Sequence, residues 1–257
     1  MRDDMPQNRF KRALAAGQRQ IGFWLTFASP GVTEAAAGAG FDWLLIDMEH
    51  SPNDLPDVVH QLRAAEGGTA EPVVRVPWNE PIMVKRLLDV GARSLLFPFV
   101  QSAEEARRAV AATRYPPQGI RGFAGTTRAN RYGRVAGYHK RAHEEICVLV
   151  QCETRKAVAE IAAIAAVDGI DGIFIGPADL AADMGHLADT QHAEVQAAIL
   201  EAGKRIRAAG KAPGFLSLRE DETRRVLDGG FLFVAVGSDA ALFARQADAL
   251  ALRYKAD

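Results

Sequence analysis

Short apolar runs alternate with amphipathic stretches along this chain, and the alternation predicts its architecture. Eight runs read as strands: Ile21–Phe27, Trp43–Asp47, Pro72–Val76, Ser94–Pro98, Ile146–Gln151, Ile173–Ile175, Ala212–Leu216 and Phe231–Val236. Between them lie helical patterns. One runs from Ser29-Pro30 to Gly40, and others cover Pro52–Ala65, Asn79-Glu80-Pro81 to Val90, Ala103–Arg114, Thr154–Ala166, Ala193–Ala209, Leu218–Leu227 and Ala240–Arg253. A further short amphipathic helix, Asn8–Ala16, precedes the first strand. The strands are apolar throughout rather than alternating, which argues for a parallel sheet covered on its outside. Eight βα units in 257 residues match a closed barrel. The expected fold class is therefore α/β, a (β/α)8 TIM barrel forming one domain over residues 1–257. The rival, an open doubly wound sheet, usually carries a GxGxxG turn after its first strand. Here that strand runs into Ser29-Pro30-Gly31 instead.

Composition narrows the picture further. With 48% hydrophobic residues the chain has ample material for a large core. A net charge of −1 implies no general attraction to nucleic acid or membrane. Cys147 and Cys152 are five apart on one predicted strand, so they point to opposite faces and should not bridge. Reduced buried thiols suit the cytoplasm. No apolar run is long enough to span a bilayer, and the start, MRDDMPQNRFKRAL, lacks the apolar core of a secretion signal. One connection is long: Tyr115–Glu145 carries Arg121, Arg128, Arg131 and Arg134 among glycines. It reads either as a solvated basic loop or as a subunit contact or site rim.

In a barrel, chemistry gathers at the C-terminal ends of the strands. Those ends carry Trp24, then Asp47, Glu49 and His50 in DMEHSP, Arg75 in VVRVPWN, and Gln151 and Glu153 in QCET. They continue with Asp179 in GPADL, Leu216-Ser217 and Gly237-Ser238-Asp239. Polar side chains at the ends of apolar strands are costly unless paired or coordinated. Plainer roles stand beside each: Asp179 as a helix cap, Glu153 as support for a helix start, Arg75 paired with Glu49, Asp47 as a buried partner, His50 as a rim histidine and Trp24 as core. His60, His139, His143, His186 and His192 show no carboxylate or Cys partner at ligand spacing and read as ordinary.

Glu153 and Asp179, on neighbouring strands, can share one ion. Two carboxylates without Cys or His suit a hard cation, Mg²⁺ or Mn²⁺. The turn Gly176-Pro177-Ala178 adds backbone N–H groups that favour a substrate carboxylate. No Lys occupies a strand end, so imine chemistry is disfavoured. What remains is a metal-stabilised enolate of a 2-oxo acid, with Arg75 on the keto oxygen and His50 in proton transfer.

The stretches WLLIDMEHSPND, VVRVPWNEP, LLDVGARSLLFPFV, ATRYPPQGIRG, VLVQCET, GIFIGPADLAADMG and FVAVGSDAALFA cover nearly the whole chain in order. Together they resemble the metal-dependent (class II) pyruvate aldolases typified by 4-hydroxy-2-oxoheptanedioate aldolase and 2-keto-3-deoxyglucarate or 2-keto-3-deoxyrhamnonate aldolase. The combination of RYPPxGxRG with GPADLxADMG carries the specificity. The resemblance implies a barrel assembled as a homohexamer, a dimer of trimers, with the last helix packed onto a neighbouring subunit. It implies aldol cleavage of 4-hydroxy-2-oxo acids to pyruvate or hydroxypyruvate and an aldehyde. Glu153 and Asp179 would bind Mg²⁺, Mn²⁺ or Co²⁺. Arg75 and His50 would be catalytic, with Asp89 paired to the histidine across a subunit contact. Trp24, Gln151, Gly176, Pro177, Ala178 and Leu216 would line the substrate site, with Asp47 and Glu49 orienting ligands. Met48 stands where relatives often carry Gly, and Cys152 where they carry an aliphatic residue, which bears on the substrate more than on the reaction. The alternatives are an acyl-CoA lyase of the citrate-lyase or malyl-CoA lyase type, against which the chain shows no extra domain or basic cluster for CoA phosphates, and a non-catalytic 2-oxo-acid-binding barrel.

Overall fold

A computed structural model describes residues 5–255. Eight parallel strands close on themselves in sequence order: β1 (Gln20–Leu25), β2 (Trp43–Asp47), β3 (Glu71–Arg75), β4 (Ser94–Phe97), β5 (Cys147–Cys152), β6 (Gly172–Ile175), β7 (Ala212–Leu216) and β8 (Phe233–Ser238). β1 pairs with both β2 and β8, so the sheet has no edge. The expected (β/α)8 barrel is the observed one; of the expected single domain 1–257, residues 1–4 and 256–257 lie outside the described range.

Side-chain alternation along each strand divides the core in two. Outward residues such as Leu44, Ile46, Val148 and Val150 pack beneath the helices. Inward residues build a separate cluster containing Trp43, Leu45, Val73, Leu96, Leu149, Phe174 and Phe233. Cys147 belongs to the inner cluster and Cys152 to the outer one, and both are free thiols. Space inside the barrel is won by omitting side chains. A Cβ on Gly22 would sit 2.1 Å from the Trp43 indole, and one on Gly214 would sit 2.2 Å from the Phe233 ring.

The bottom of the barrel is sealed. The helix Arg9–Ala15 inserts Phe10 against Trp43 and Phe233, at ring-centroid distances of 5.6 and 5.8 Å. Buried Asn8 caps this helix and donates to the Arg93 carbonyl, the Ser94 hydroxyl and the Glu145 carbonyl.

The long connection Tyr115–Glu145 is neither wholly irregular nor wholly solvated. It contains a helical turn, Tyr138–Arg141, followed by the tighter turn Ala142–Glu144. Arg121 is buried, lies 4.4 Å from the Tyr115 ring and donates to Asp89. The predicted helix Thr154–Ala166 is two short helices, Arg155–Ala159 and Ile161–Ala165, meeting at Glu160.

Candidate active site

Each inward-facing row changes character as it rises. In β5 it runs Cys147, Leu149, Gln151 and then Glu153 just past the strand; in β2 it runs Trp43, Leu45, Asp47 and then Glu49. In β3 it ends on Arg75, which is in register with Asp47 across the β2–β3 ladder. Period-two alternation therefore delivers the polar groups to one end of one cavity.

At the β2–β3 side Arg75 is the hub. Its Nε and Nη2 donate to the two Asp47 oxygens at 2.8 and 2.6 Å, a bidentate pair, and its Nη1 lies 2.8 Å from Glu49 Oε2. Trp24 Nε1 donates to Asp47 at 3.2 Å, and the guanidinium stands 5.0 Å from the Trp24 ring. Asp47 is buried, yet these bonds outweigh the burial that opposes ionisation, and its carboxyl is held below the ordinary range. Glu49 goes the other way: burial and the charges of Asp47 and Asp179 raise it. Asp47 is thus the buried partner of Arg75, and Trp24 is floor rather than wall, with 4% of its surface exposed.

Glu153 dominates the β5–β6 side. Gln151 Nε2 donates to Oε2 at 2.5 Å, and the Phe99 amide donates to Oε1 at 2.7 Å. Burial nevertheless pushes this carboxyl up to about 7, and the negative charges of Glu49 and Asp179 add to the effect. Glu153 does not cap the following helix; Thr154 does. Gly176 closes on Glu153 so tightly that a Cβ would lie 2.5 Å from Oε2.

The chain then enters the helix Pro177–Asp183, whose N-terminus has no side-chain cap. The amides of Ala178 and Asp179 lie in its first turn, where helical geometry offers them no carbonyl. Asp179 is exposed and does not cap this helix, so its carboxylate is free to serve the site. Leu216, at the top of β7, is partly buried against the barrel's inner cluster. His50 follows Asp47 on an exposed loop, with Nε2 4.0 Å from Glu49 Oε1.

Four carboxylates, Asp47, Glu49, Glu153 and Asp179, thus lie close enough to raise one another's charge cost, while the one guanidinium among them is committed to Asp47 and Glu49. Gln151 Oε1 is buried with no hydrogen-bond partner. Surplus negative charge beside an unpartnered buried oxygen is a donor set that a hard divalent cation fits.

The structure places Asp89 and corrects the expectation for His186 and His192. Asp89 ends the helix Pro81–Asp89, whose C-terminus lies at the bottom of the barrel; there it binds Arg121 at 2.8 Å. Within one chain it does not join the residues above, in keeping with the expectation that it would meet the histidine only across a subunit contact. His186 and His192 are not ordinary: their rings stack with centroids 3.5 Å apart, and Glu194 Oε2 lies 3.3 Å from His186 Nε2. A cavity of about 570 Å³ sits at the bottom rim, far from the strand tops, where Arg9, Arg93 and Arg128 meet Glu66, Glu71 and Glu145.

Sequence reasoning missed three supports. Phe99 turns its amide to Glu153 through a left-handed backbone, φ 54°, and its ring stacks on Trp78. Asn53 donates to the Asp47 carbonyl at 2.7 Å, and Gln61 donates to Asn53 at 2.5 Å, fixing the loop that carries His50. Asn53 stands in the quoted WLLIDMEHSPND stretch; for Phe99 only backbone geometry reveals the role.

The profile of the HpcH/HpaI aldolase/citrate lyase family matches residues 20–246. The chain belongs to that family. It is a carbon–carbon lyase of the aldolase type. It is 56% identical over 252 residues to the 4-hydroxy-2-oxo-heptane-1,7-dioate aldolase of Salmonella dublin, covering 98% of this chain and 96% of that one. The Klebsiella pneumoniae protein of the same name is 57% identical over 248 residues, covering 96% and 94%. A crystal structure of an HpcH/HpaI aldolase/citrate lyase family protein from Burkholderia cenocepacia J2315 superposes with a TM-score of 0.94 at 39% identity, covering 97% of this chain and all of that one. No described helix of this aldolase is long and apolar enough to cross a membrane.

Proposed function

We propose that the strand-top site performs reversible aldol cleavage of a 4-hydroxy-2-oxo acid to pyruvate, or a close 2-oxo acid such as hydroxypyruvate, and an aldehyde. The observation that carries this reading is the surplus of carboxylates around one fixed guanidinium, beside the unpartnered Gln151 oxygen. Glu153 and Asp179 would hold a divalent cation, Mg²⁺ or Mn²⁺, with Co²⁺ as a further candidate. When bound, the cation supplies Lewis-acid polarisation of the keto group.

The remaining work falls to this chain's own groups. The first-turn amides of Ala178 and Asp179 are free to bind the substrate carboxylate. A base removes the proton of the 4-hydroxyl, and His50, exposed on the loop after β2, is the candidate for it. The C3–C4 bond breaks, its electron pair passes into the enolate of the 2-oxo acid, and the aldehyde departs. Arg75 aims its remaining N–H groups at the oxygen where this charge collects; Asp47 and Glu49 hold it in that plane. Protonation at C3 releases the keto acid. Leu216, packed on the inner cluster at the top of β7, would border the aldehyde portion.

Pyruvate release from a 4-hydroxy-2-oxo diacid, followed with a coupled lactate dehydrogenase, tests the proposal. Activity should vanish with chelator and return with Mg²⁺ or Mn²⁺. Chelator-resistant activity, or turnover of malyl-CoA in its place, overturns it.

The same reading includes a homohexamer, a dimer of trimers. It is supported by the last helix, Asp239–Lys255, which leaves Leu242, Phe243, Leu250, Leu252 and Tyr254 exposed. Light scattering that returns a monomer mass at micromolar concentration contradicts this part.

A further inference from the structure

Outside the strand-top site, one cluster of potential ligands stands apart among the described residues: His186, His192 and Glu194 each place one ligand atom within 4.8 Å of the others. We infer that these three side chains form a second metal site, selective for a borderline ion such as Zn²⁺, Ni²⁺ or Co²⁺ over Mg²⁺.

The geometry carries the inference in three steps. The two imidazoles lie side by side with centroids 3.5 Å apart and 16° between their planes, so both rings are already within reach of one ion, and one of them must turn for both to present an in-plane nitrogen to it. Next, His186 Nε2 and Glu194 Oε2 are already 3.3 Å apart, close to the donor–donor edge of a tetrahedron built on bonds of about 2.0–2.1 Å. Finally, the contraction still required is cheap. Glu194 is 69% exposed, and besides its stack on His186 the His192 ring is held by a long 3.4 Å bond from the Glu194 amide. Two imidazoles and one carboxylate, with solvent completing the shell, are a donor set that favours zinc-like ions and is poor for Mg²⁺.

The location gives the site a consequence. His186 follows the helix Pro177–Asp183 that carries Asp179, and its amide donates to the Ala181 carbonyl at 2.8 Å. His192 caps the helix Ala193–Ala208. An ion bound here fastens the Asp179 helix to the next one and makes the loop between them rigid.

The test is equilibrium dialysis of the untagged, metal-depleted full chain against Zn²⁺ and, separately, Mg²⁺, with ions counted by elemental analysis. Wild type should hold two Zn²⁺ per chain. The double variant His186→Gln, His192→Asn should hold one fewer, with Mg²⁺ uptake unchanged. Asn at the cap keeps a capping side chain, so the far-UV circular dichroism of the metal-free variant should match wild type. Zn²⁺ should also raise the melting temperature of Glu153→Gln, Asp179→Asn, a variant that retains the histidine pair and loses the strand-top carboxylates. Equal Zn²⁺ uptake by wild type and the histidine variant overturns the inference. Failure of the strand-top site alone would read differently: the histidine variant would still lose an ion, and the carboxylate variant would not.

Discussion

Gly176→Ala acts on the geometry of Glu153 and of the Gln151 amide that donates to it. Gly176 has φ −82° and ψ 103°, a conformation open to any L-residue, so the substitution brings no backbone strain. What it brings is a methyl group 2.5 Å from Glu153 Oε2 and 2.9 Å from Glu153 Cβ. Relief to an ordinary 3.4 Å contact requires about 0.9 Å of movement. The carboxylate is the side that yields, because it ends a rotatable side chain whereas Gly176 is main chain, held by its amide hydrogen bond to the Cys152 carbonyl; moving the carboxylate strains the bonds from Gln151 and Phe99. A displacement of about 1 Å in a catalytic constellation costs on the order of 10²-fold in rate. Overpacking of this kind destabilises by about 1–3 kcal/mol, so the fold survives. Pyruvate release should therefore fall about a hundredfold in kcat, with weaker Mn²⁺ affinity by calorimetry and an unchanged circular dichroism spectrum. A kcat within about threefold of wild type, with unaltered Mn²⁺ affinity, would refute the assignment of Glu153.

Burial raises Glu153 from the ordinary 4.5 to about 7, so below pH 7 a cation must displace its proton. Affinity for Mn²⁺ should fall about tenfold per pH unit below 7, and a pH-independent affinity between 5 and 8 would contradict this. The same shift bears on the metal-free chain. Between pH 4.5 and 7 the folded state keeps a proton that the unfolded state has lost, so stability falls as pH rises through that window. Above pH 7 the loss amounts to about 3 kcal/mol in urea titrations, unless a divalent ion restores it. Arg75→Lys removes the bidentate bond to Asp47 and should cost about 10²–10³-fold in kcat; a loss under fivefold would deny the guanidinium its place at the developing charge. His50→Gln changes a side chain that is 66% exposed, so its melting temperature should stay put while kcat falls about 10²–10⁴-fold. An undiminished rate removes His50 from the proton transfer.

The barrel was legible because strands buried on both faces must be apolar along their whole length. Ala212–Leu216 is a strand with the expected bounds. Ile21–Phe27 is cut short at Leu25 because the amides of Thr26 and Phe27 turn to the Asp239 carboxylate instead of a neighbouring strand. Phe231–Val236 shifts to Phe233–Ser238, since an unbroken apolar run does not mark where its ladder starts. The strand-top residues were legible for the complementary reason: a charged side chain ending an apolar run demands a partner. Asp89 reaches this site in no single chain, because a helix antiparallel to its strand ends at the opposite rim. The stack of His186 on His192 depends on how a loop folds back, and the amide of Phe99 carries no side-chain signature at all.

The central claim is that the strand tops draw a proton from carbon beside a keto group and hold the resulting charge. Exchange of the pyruvate methyl protons in D₂O, followed by NMR with the aldehyde omitted, tests it without the identity of the aldehyde. The account predicts exchange that requires Mg²⁺ or Mn²⁺, stops with chelator and is lost in Arg75→Ala. Exchange that persists in chelator, or bound pyruvate that never exchanges with the divalent ion present, would contradict it.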